Sequence, residues 1–238
     1  MIWSSINEQC RIRSCFLDNL STLSFNKTGC IQKVRPRIND STIRFSIFPT
    51  LVYAVECFDL IDDVKNACDS VDWSETYRSS HSDSYSSKIP IFGIDNNIDL
   101  VQKFEQRVNY TLIELGYTNQ LQMTTNWFTK TSPYKGIGRH NHTNSFWSSV
   151  YYFDDDCGYL SFTKDMNAIT VPTTNDNPEL KMFGDISFPA KKGTLLLFPS
   201  YLPHYVEINN FDKERFSLAM NFMPVGRCGV ADSTYDYK

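Results

Sequence analysis

The chain is short of everything that would mark a nucleic-acid or membrane protein. No Lys or Arg run exceeds two residues, and the charge sum of 23 basic against 27 acidic residues leaves a net −4. That balance makes nucleic acid a poor partner. Apolar runs such as Leu195–Phe198 are far too short to span a bilayer. The first residues, Met1 to Glu8, lack a basic stretch followed by an apolar one, so no secretory signal is expected. The seven cysteines, at 10, 15, 30, 57, 68, 157 and 228, form no C-x-x-C pair. They read as free thiols in a reducing, cytoplasmic setting rather than as a disulfide framework. Histidine is scarce too, with only four in 238 residues.

What is present is apolar and aromatic. Hydrophobic residues make up 41% of the chain, with 17 Phe and 13 Tyr, enough for a sizeable core. Residues 1–42 show no sustained period and read as an N-terminal extension, with a cap or an oligomer contact as the alternative. From Ile43 alternation sets in, and Ile43–Phe48 and Leu51–Val55 read as strands. Leu60, Ile61, Val64, Cys68 and Val71 then fall at helical spacing, with Asp59 as the expected N-cap. The Ser-rich stretch 72–90, which holds His81, reads as a loop. A second helix is clearer: Asn96 or Asn97 caps it, Ile98, Val101, Phe104, Val108, Leu112 and Leu115 form its stripe, and Gly116 stops it.

After Tyr117 short β-branched and aromatic segments follow one another: 122–130, 138–142, 148–153, 159–163, 182–188, 194–199, 204–208 and 215–223. Turn signals such as Ser132-Pro133 and Lys191-Lys192-Gly193 separate them. About eight strands after the helices predict a mainly β (α+β) domain, a sandwich or barrel with a helical buttress. Residues 227–238 read as a polar tail.

Three of the four histidines fall in this β region. His140 and His142 are two residues apart, so in a strand they share a face. His204 follows the run Gly193–Pro199, and Arg215-Phe216-Ser217 comes eleven residues later. Neutral imidazole is the commonest transition-metal ligand in proteins, so this order suggests a mononuclear metal site. Arg215 is always cationic and its planar fork fits a carboxylate bidentately. Ser217, two residues on, faces the same way and can add a hydrogen bond.

Three stretches, His140–Ser145 with Ser149–Phe153, Gly193–His204, and Arg215–Phe222, resemble the Fe(II)/2-oxoglutarate-dependent oxygenases. They are most similar to the 2OG-Fe(II) oxygenase group common in marine bacteria and their phages. Ser46–Thr50 resembles that group's amino-terminal strand, so the resemblance runs from about 45 to 225 and implies an oxygenase domain at 43–226. It implies a double-stranded β-helix (jelly-roll, cupin-like) holding one Fe(II), with His140 and His204 as ligands. It further implies that Arg215 and Ser217, with Tyr152 as a weaker candidate, bind the far carboxylate of 2-oxoglutarate. Most of the superfamily has Asp or Glu where His142 stands. His142 therefore either completes a neutral three-histidine set or lines the pocket while water takes the third position.

The implied reaction is a dioxygenase hydroxylation that consumes O2 and 2-oxoglutarate, releases succinate and CO2, and uses ascorbate as an optional reductant. The substrate class stays open between a protein side chain and a small molecule, and a homo-oligomer is compatible. If the chain is phage-encoded, its setting is the host cytoplasm. Three rivals share parts of the pattern. A three-histidine zinc enzyme would use the same ligands but has no need of Arg-x-Ser. A cupin would carry a glutamate just beyond H-x-H, where Thr143 to Trp147 stand instead. A non-catalytic jelly-roll binding module, for example in a phage particle, would keep the fold without turnover.

Overall fold

The computed structural model describes residues 50–73, 97–155, 158–164 and 184–237, with the backbone of 77–78 and 84–86. The expected strand at 43–48, the amino-terminal extension, His81 and four of the seven cysteines lie outside these residues. Cys57, Cys68 and Cys228 are free thiols. No helix among the described residues is long and apolar enough to cross a membrane.

Strand β1 (Tyr53–Glu56) leads through a 3-10 turn at Phe58–Leu60 into α1 (Ile61–Asp69). The short β2 (Tyr77–Arg78) and β3 (Ser84–Ser86) precede α2 (Ile98–Glu114). Then come β4 (Gln120–Thr131), β5 (Ile137–His140), β6 (Trp147–Tyr152), β7 (Tyr159–Lys164), β8 (Gly184–Pro189), β9 (Thr194–Pro199), β10 (His204–Val206), β11 (Arg215–Cys228) and β12 (Tyr235–Tyr237). Among the described residues the larger sheet runs β1-β9-β6-β11-β4-β3-β2, with β12 on β11. The smaller runs β5-β10-β7-β8. Neighbouring strands pair antiparallel throughout. This is the expected double-stranded β-helix.

The period of two sorts each strand between two cores. Leu195 and Leu197 of β9, Tyr151 of β6, and Leu218, Met220 and Phe222 of β11 face the helices. There they meet the α2 stripe of Leu100, Phe104, Val108 and Leu112 and the α1 residues Val64 and Cys68. The alternate residues Leu196, Phe198 and Tyr152 face the smaller sheet and pack on Leu160 and Phe162. Complete burial of each large side chain contributes about 1.5–3 kcal/mol, so the helices anchor the outer face of the larger sheet and leave its inner face to the barrel.

Three local expectations need correcting. Asp59 does not cap α1: Leu60 occupies the N-cap position without a side-chain bond. Asp59 lies in the 3-10 turn, and its carboxylate accepts from Arg107 of α2 at 2.8 Å. The Ser-rich stretch is not wholly loop. β2 and β3 form a hairpin that extends the larger sheet beyond β4, where backbone pairing substitutes for the apolar alternation the sequence lacks. The polar tail is exposed but ordered in part, since Tyr235–Tyr237 pairs with Gly226–Cys228. By contrast Asn97 does cap α2, its side chain accepting from the Leu100 amide at 3.1 Å. Gly116 sits beyond the end at φ +90°, where a glycine is cheapest.

Candidate metal centre

The three histidines converge. His140 ends β5 and pairs across to His204 at the start of β10. Their ring centroids are 4.4 Å apart, while His142 lies 5.4 Å from His140 and 5.1 Å from His204. The ligand nitrogens the rings offer all lie within 4.8 Å of one another, and no carboxylate joins this cluster among the described residues.

The two-residue spacing works differently from a simple strand. β5 stops at His140, and His142 lies beyond it in the loop toward β6. Its backbone N–H donates to Ser200 O at 3.0 Å rather than to a strand ladder. So His142 reaches the centre because the 141–146 loop is tied to the turn after β9, not because both side chains line one strand face.

Each ring is pinned through Nδ1. His140 Nδ1 lies 2.8 Å from Gly138 O, His204 Nδ1 lies 2.9 Å from Leu202 O, and His142 Nδ1 lies 2.6 Å from Asn221 Oδ1. A carbonyl or amide oxygen only accepts, so each Nδ1 carries the proton and each Nε2 keeps its lone pair. Burial favours the neutral form of His204 and His142. His204 is 3% exposed, and its pKa is pushed down to about 3, chiefly by desolvation and next by the nearby His140. Burial lowers that of His142 as well, against the opposing effect of the hydrogen bond it donates to Asn221. Three imidazoles that commit Nδ1 to an oxygen acceptor and turn Nε2 toward one another are a donor set that fits a divalent transition metal.

Sequence reading missed the surroundings of His142. Asn221 lies on β11 six residues beyond Arg215, on the barrel-facing alternation of Arg215, Ser217 and Ala219. Ser148 Oγ donates to Asn221 Oδ1 at 2.8 Å and lies 3.1 Å from His142 Nδ1. Ser148 also meets Ser200 Oγ at 2.7 Å, and Ser200 donates on to Ser145 at 2.8 Å. The Asn221 Nδ2 donates to Thr125 Oγ1 at 3.0 Å. Opposite this network the Trp127 ring packs on His142, with centroids 5.5 Å apart. The signal available in sequence was a lone polar residue in the apolar run Leu218-Ala219-Met220-Asn221-Phe222-Met223, at a barrel-facing position.

The other named candidates lie along the same interior. Arg215 opens β11 and is 5% exposed, its two terminal nitrogens each 3.4 Å from Glu207 O. Gly158, at φ +70°, packs so closely that a Cβ there would approach the guanidinium to 2.9 Å. Ser217 is half-buried two residues on. Tyr152 is 2% exposed, on the barrel-facing side of β6. A β-bulge in β4 at Thr124, opposite Asn221 and Phe222, turns Thr125, Trp127, Thr129 and Thr131 toward this interior, as bulges beside functional sites often do.

With the geometry in place, residues 125–221 match the family model described as "Putative 2OG-Fe(II) oxygenase". Over that span the barrel is similar to the 2OG-Fe(II) oxygenases. That span opens beside the bulge on β4 and ends at Asn221, so it contains all three histidines, Tyr152, Arg215 and Ser217. The family's members are oxidoreductases that use iron, 2-oxoglutarate and O2.

Solved structures agree in fold. A prolyl-4-hydroxylase from Pseudomonas putida superimposes with a TM-score of 0.50 at 18% identity, covering 74% of this chain and 94% of that one. A 2OG-Fe(II) oxygenase-family oxidoreductase from Burkholderia pseudomallei gives 0.53 at 12% identity, covering 72% and 84%. HygX from Streptomyces hygroscopicus, solved with nickel and 2-oxoglutarate bound, gives 0.51 at 10%, covering 74% and 83%. No curated protein matches the chain.

Proposed function

We propose that the chain is a Fe(II)- and 2-oxoglutarate-dependent dioxygenase that hydroxylates a C–H bond of a protein side chain or small molecule. The observation that carries this reading is the convergence of His140, His142 and His204, each with its Nδ1 proton committed and its other nitrogen free. In this reading all three ligate the iron. Arg215 neutralises the far carboxylate of 2-oxoglutarate, with Ser217 and Tyr152 as hydrogen-bonding neighbours on the barrel-facing side.

When bound, iron and cosubstrate supply the oxidising power: substrate, O2 and 2-oxoglutarate become hydroxylated substrate, succinate and CO2. The protein's own part is placement and exclusion of water. Arg215 and Asn221, the partner of His142, lie six residues apart on β11, and in this reading charge holds one end of the diacid and metal the other. Phe198 and Phe162 flank His204 at centroid distances of 4.8 and 6.1 Å and keep that ligand dry. A neutral ligand set leaves the iron complex one unit more positive than the set with an acid at position 142.

The test is succinate formation from 2-oxoglutarate with Fe(II) and ascorbate, in the wild type and in His204→Ala and Arg215→Ala. The wild type should form succinate, stimulated by the correct substrate, and both variants should lose it. A protein that binds neither iron nor 2-oxoglutarate excludes the oxygenase reading; one that binds both but turns over with no cell extract supports a binding module instead.

A further inference from the structure

Resting on the reading that His142 ligates the metal, we infer that Asn221, backed by Ser148, is the positioning residue that makes His142 a ligand. It does so by fixing the tautomer and aiming Nε2 at the centre.

His142 needs such a residue more than its two partners do. His140 and His204 are held by strand pairing, and their Nδ1 protons go to backbone carbonyls of Gly138 and Leu202 that no substitution removes. His142 has left the strand. Its backbone N–H donates to Ser200 O, which ties down the main chain but does not by itself set the ring's rotation about χ1 and χ2. The ring is oriented from both sides by strand-borne groups: Trp127 of β4 against one face, and Asn221 of β11 at Nδ1, 2.6 Å away.

The amide's own orientation follows from its partners. One end faces both His142 Nδ1 and the Ser148 hydroxyl, which donates to it at 2.8 Å. The other faces Thr125 Oγ1 at 3.0 Å. With the oxygen collecting two donors, His142 must hold its proton on Nδ1, and the lone pair is left on Nε2. The reversed amide would place N–H groups against Nδ1 and against Ser148, move the ring proton to Nε2 and abolish the ligand. Ser148 is fully buried and is itself bracketed by Ser200, so the amide rests on a packed polar cluster rather than on solvent. Partners of this kind around metal-bound histidines typically govern metal affinity by about 10–100-fold. Here the partner is a neutral amide, so it orients the imidazole without adding a negative charge.

The experiment uses Co(II) as the probe, with no turnover required. Co(II) affinity and the visible absorption of the Co(II) protein are measured for the wild type, Asn221→Leu and Asn221→Asp. Leu keeps the approximate volume but removes the acceptor, whereas Asp restores it. The expected result is a loss of about 10–100-fold in Co(II) affinity for N221L with an altered absorption envelope, and recovery to within a few-fold for N221D. N221L binding Co(II) as the wild type does, with an unchanged spectrum, overturns the proposal and leaves the metal reading standing. Equal losses in N221L and N221D also overturn it, because a general packing defect would then explain both. A folded wild type that binds no Co(II) overturns the metal reading and this proposal with it. Should N221L not fold, nitrogen NMR of the metal-free wild type decides the matter: the expected His142 tautomer is Nδ1–H, and an Nε2–H tautomer contradicts the assignment.

Discussion

At the scale of single residues the site is a problem of charge kept out of water. His204 is buried with a pKa near 3, against about 6.5 in an unfolded chain. The folded state refuses a proton that the unfolded state accepts. The stability this group contributes is therefore complete above about pH 6.5 and is lost as the pH falls from there toward 3. The metal-free protein should lose thermal stability across that window, by an amount on the order of a few kcal/mol, and a melting temperature flat from pH 7 to 4 would contradict the burial of a neutral His204. Arg215 makes a different prediction. It stands outside the metal's ligands, so Arg215→Ala should weaken 2-oxoglutarate binding by about 10–100-fold, the scale of a charge-assisted hydrogen bond, while Co(II) binding changes little. Equal loss of both would make Arg215 structural. Gly158 belongs with it: a Cβ there would press on the guanidinium, so Gly158→Ala should also act on 2-oxoglutarate more than on metal. Titration calorimetry of Co(II) into the metal-free protein, and of 2-oxoglutarate into the Co(II)-loaded protein, checks both variants.

At the scale of elements, the buttress and the barrel separate cleanly. Asn97→Ala removes the α2 cap and should cost about 1 kcal/mol, whereas Phe104→Ala, at a fully buried position in van der Waals contact with the larger sheet, should cost about 3–5 kcal/mol. Denaturant titration ranks the two, and a reversed order would mean that α2 does not carry its stability through its stripe. Elements with strong periodicity were legible in sequence. β9 was placed to the residue because Leu195–Phe198 is buried on both faces, and α2 because its stripe, Asn97 and Gly116 agree. The β2–β3 hairpin was not legible, since its pairing comes from the free edge of β4 and leaves no apolar pattern. The end of β5 was not legible either. The spacing of His140 and His142 brought the right residues together for partly the wrong reason, because backbone bonding to Ser200 ends the strand between them. Asn221 was hidden by its neighbours: a polar residue on an apolar strand shows its purpose only once the bulge in β4 and the loop from β5 fix what it faces.

At the scale of the whole molecule, one sheet is shared between two tasks. Its outer face is closed by helices, and its inner face carries Tyr152, Arg215, Ser217, Ser148 and Asn221 toward the smaller sheet that supplies His140 and His204. The central claim is that the three imidazoles and Arg215 form one composite site, so that 2-oxoglutarate binding depends on metal. The most direct measurement is calorimetric titration of 2-oxoglutarate into the protein under anaerobic conditions, with and without Fe(II), in the wild type and His142→Ala. Tight binding that appears only with Fe(II) and weakens markedly in His142→Ala is the predicted result. Binding that is absent under both conditions, or equally tight with and without the metal, would contradict it.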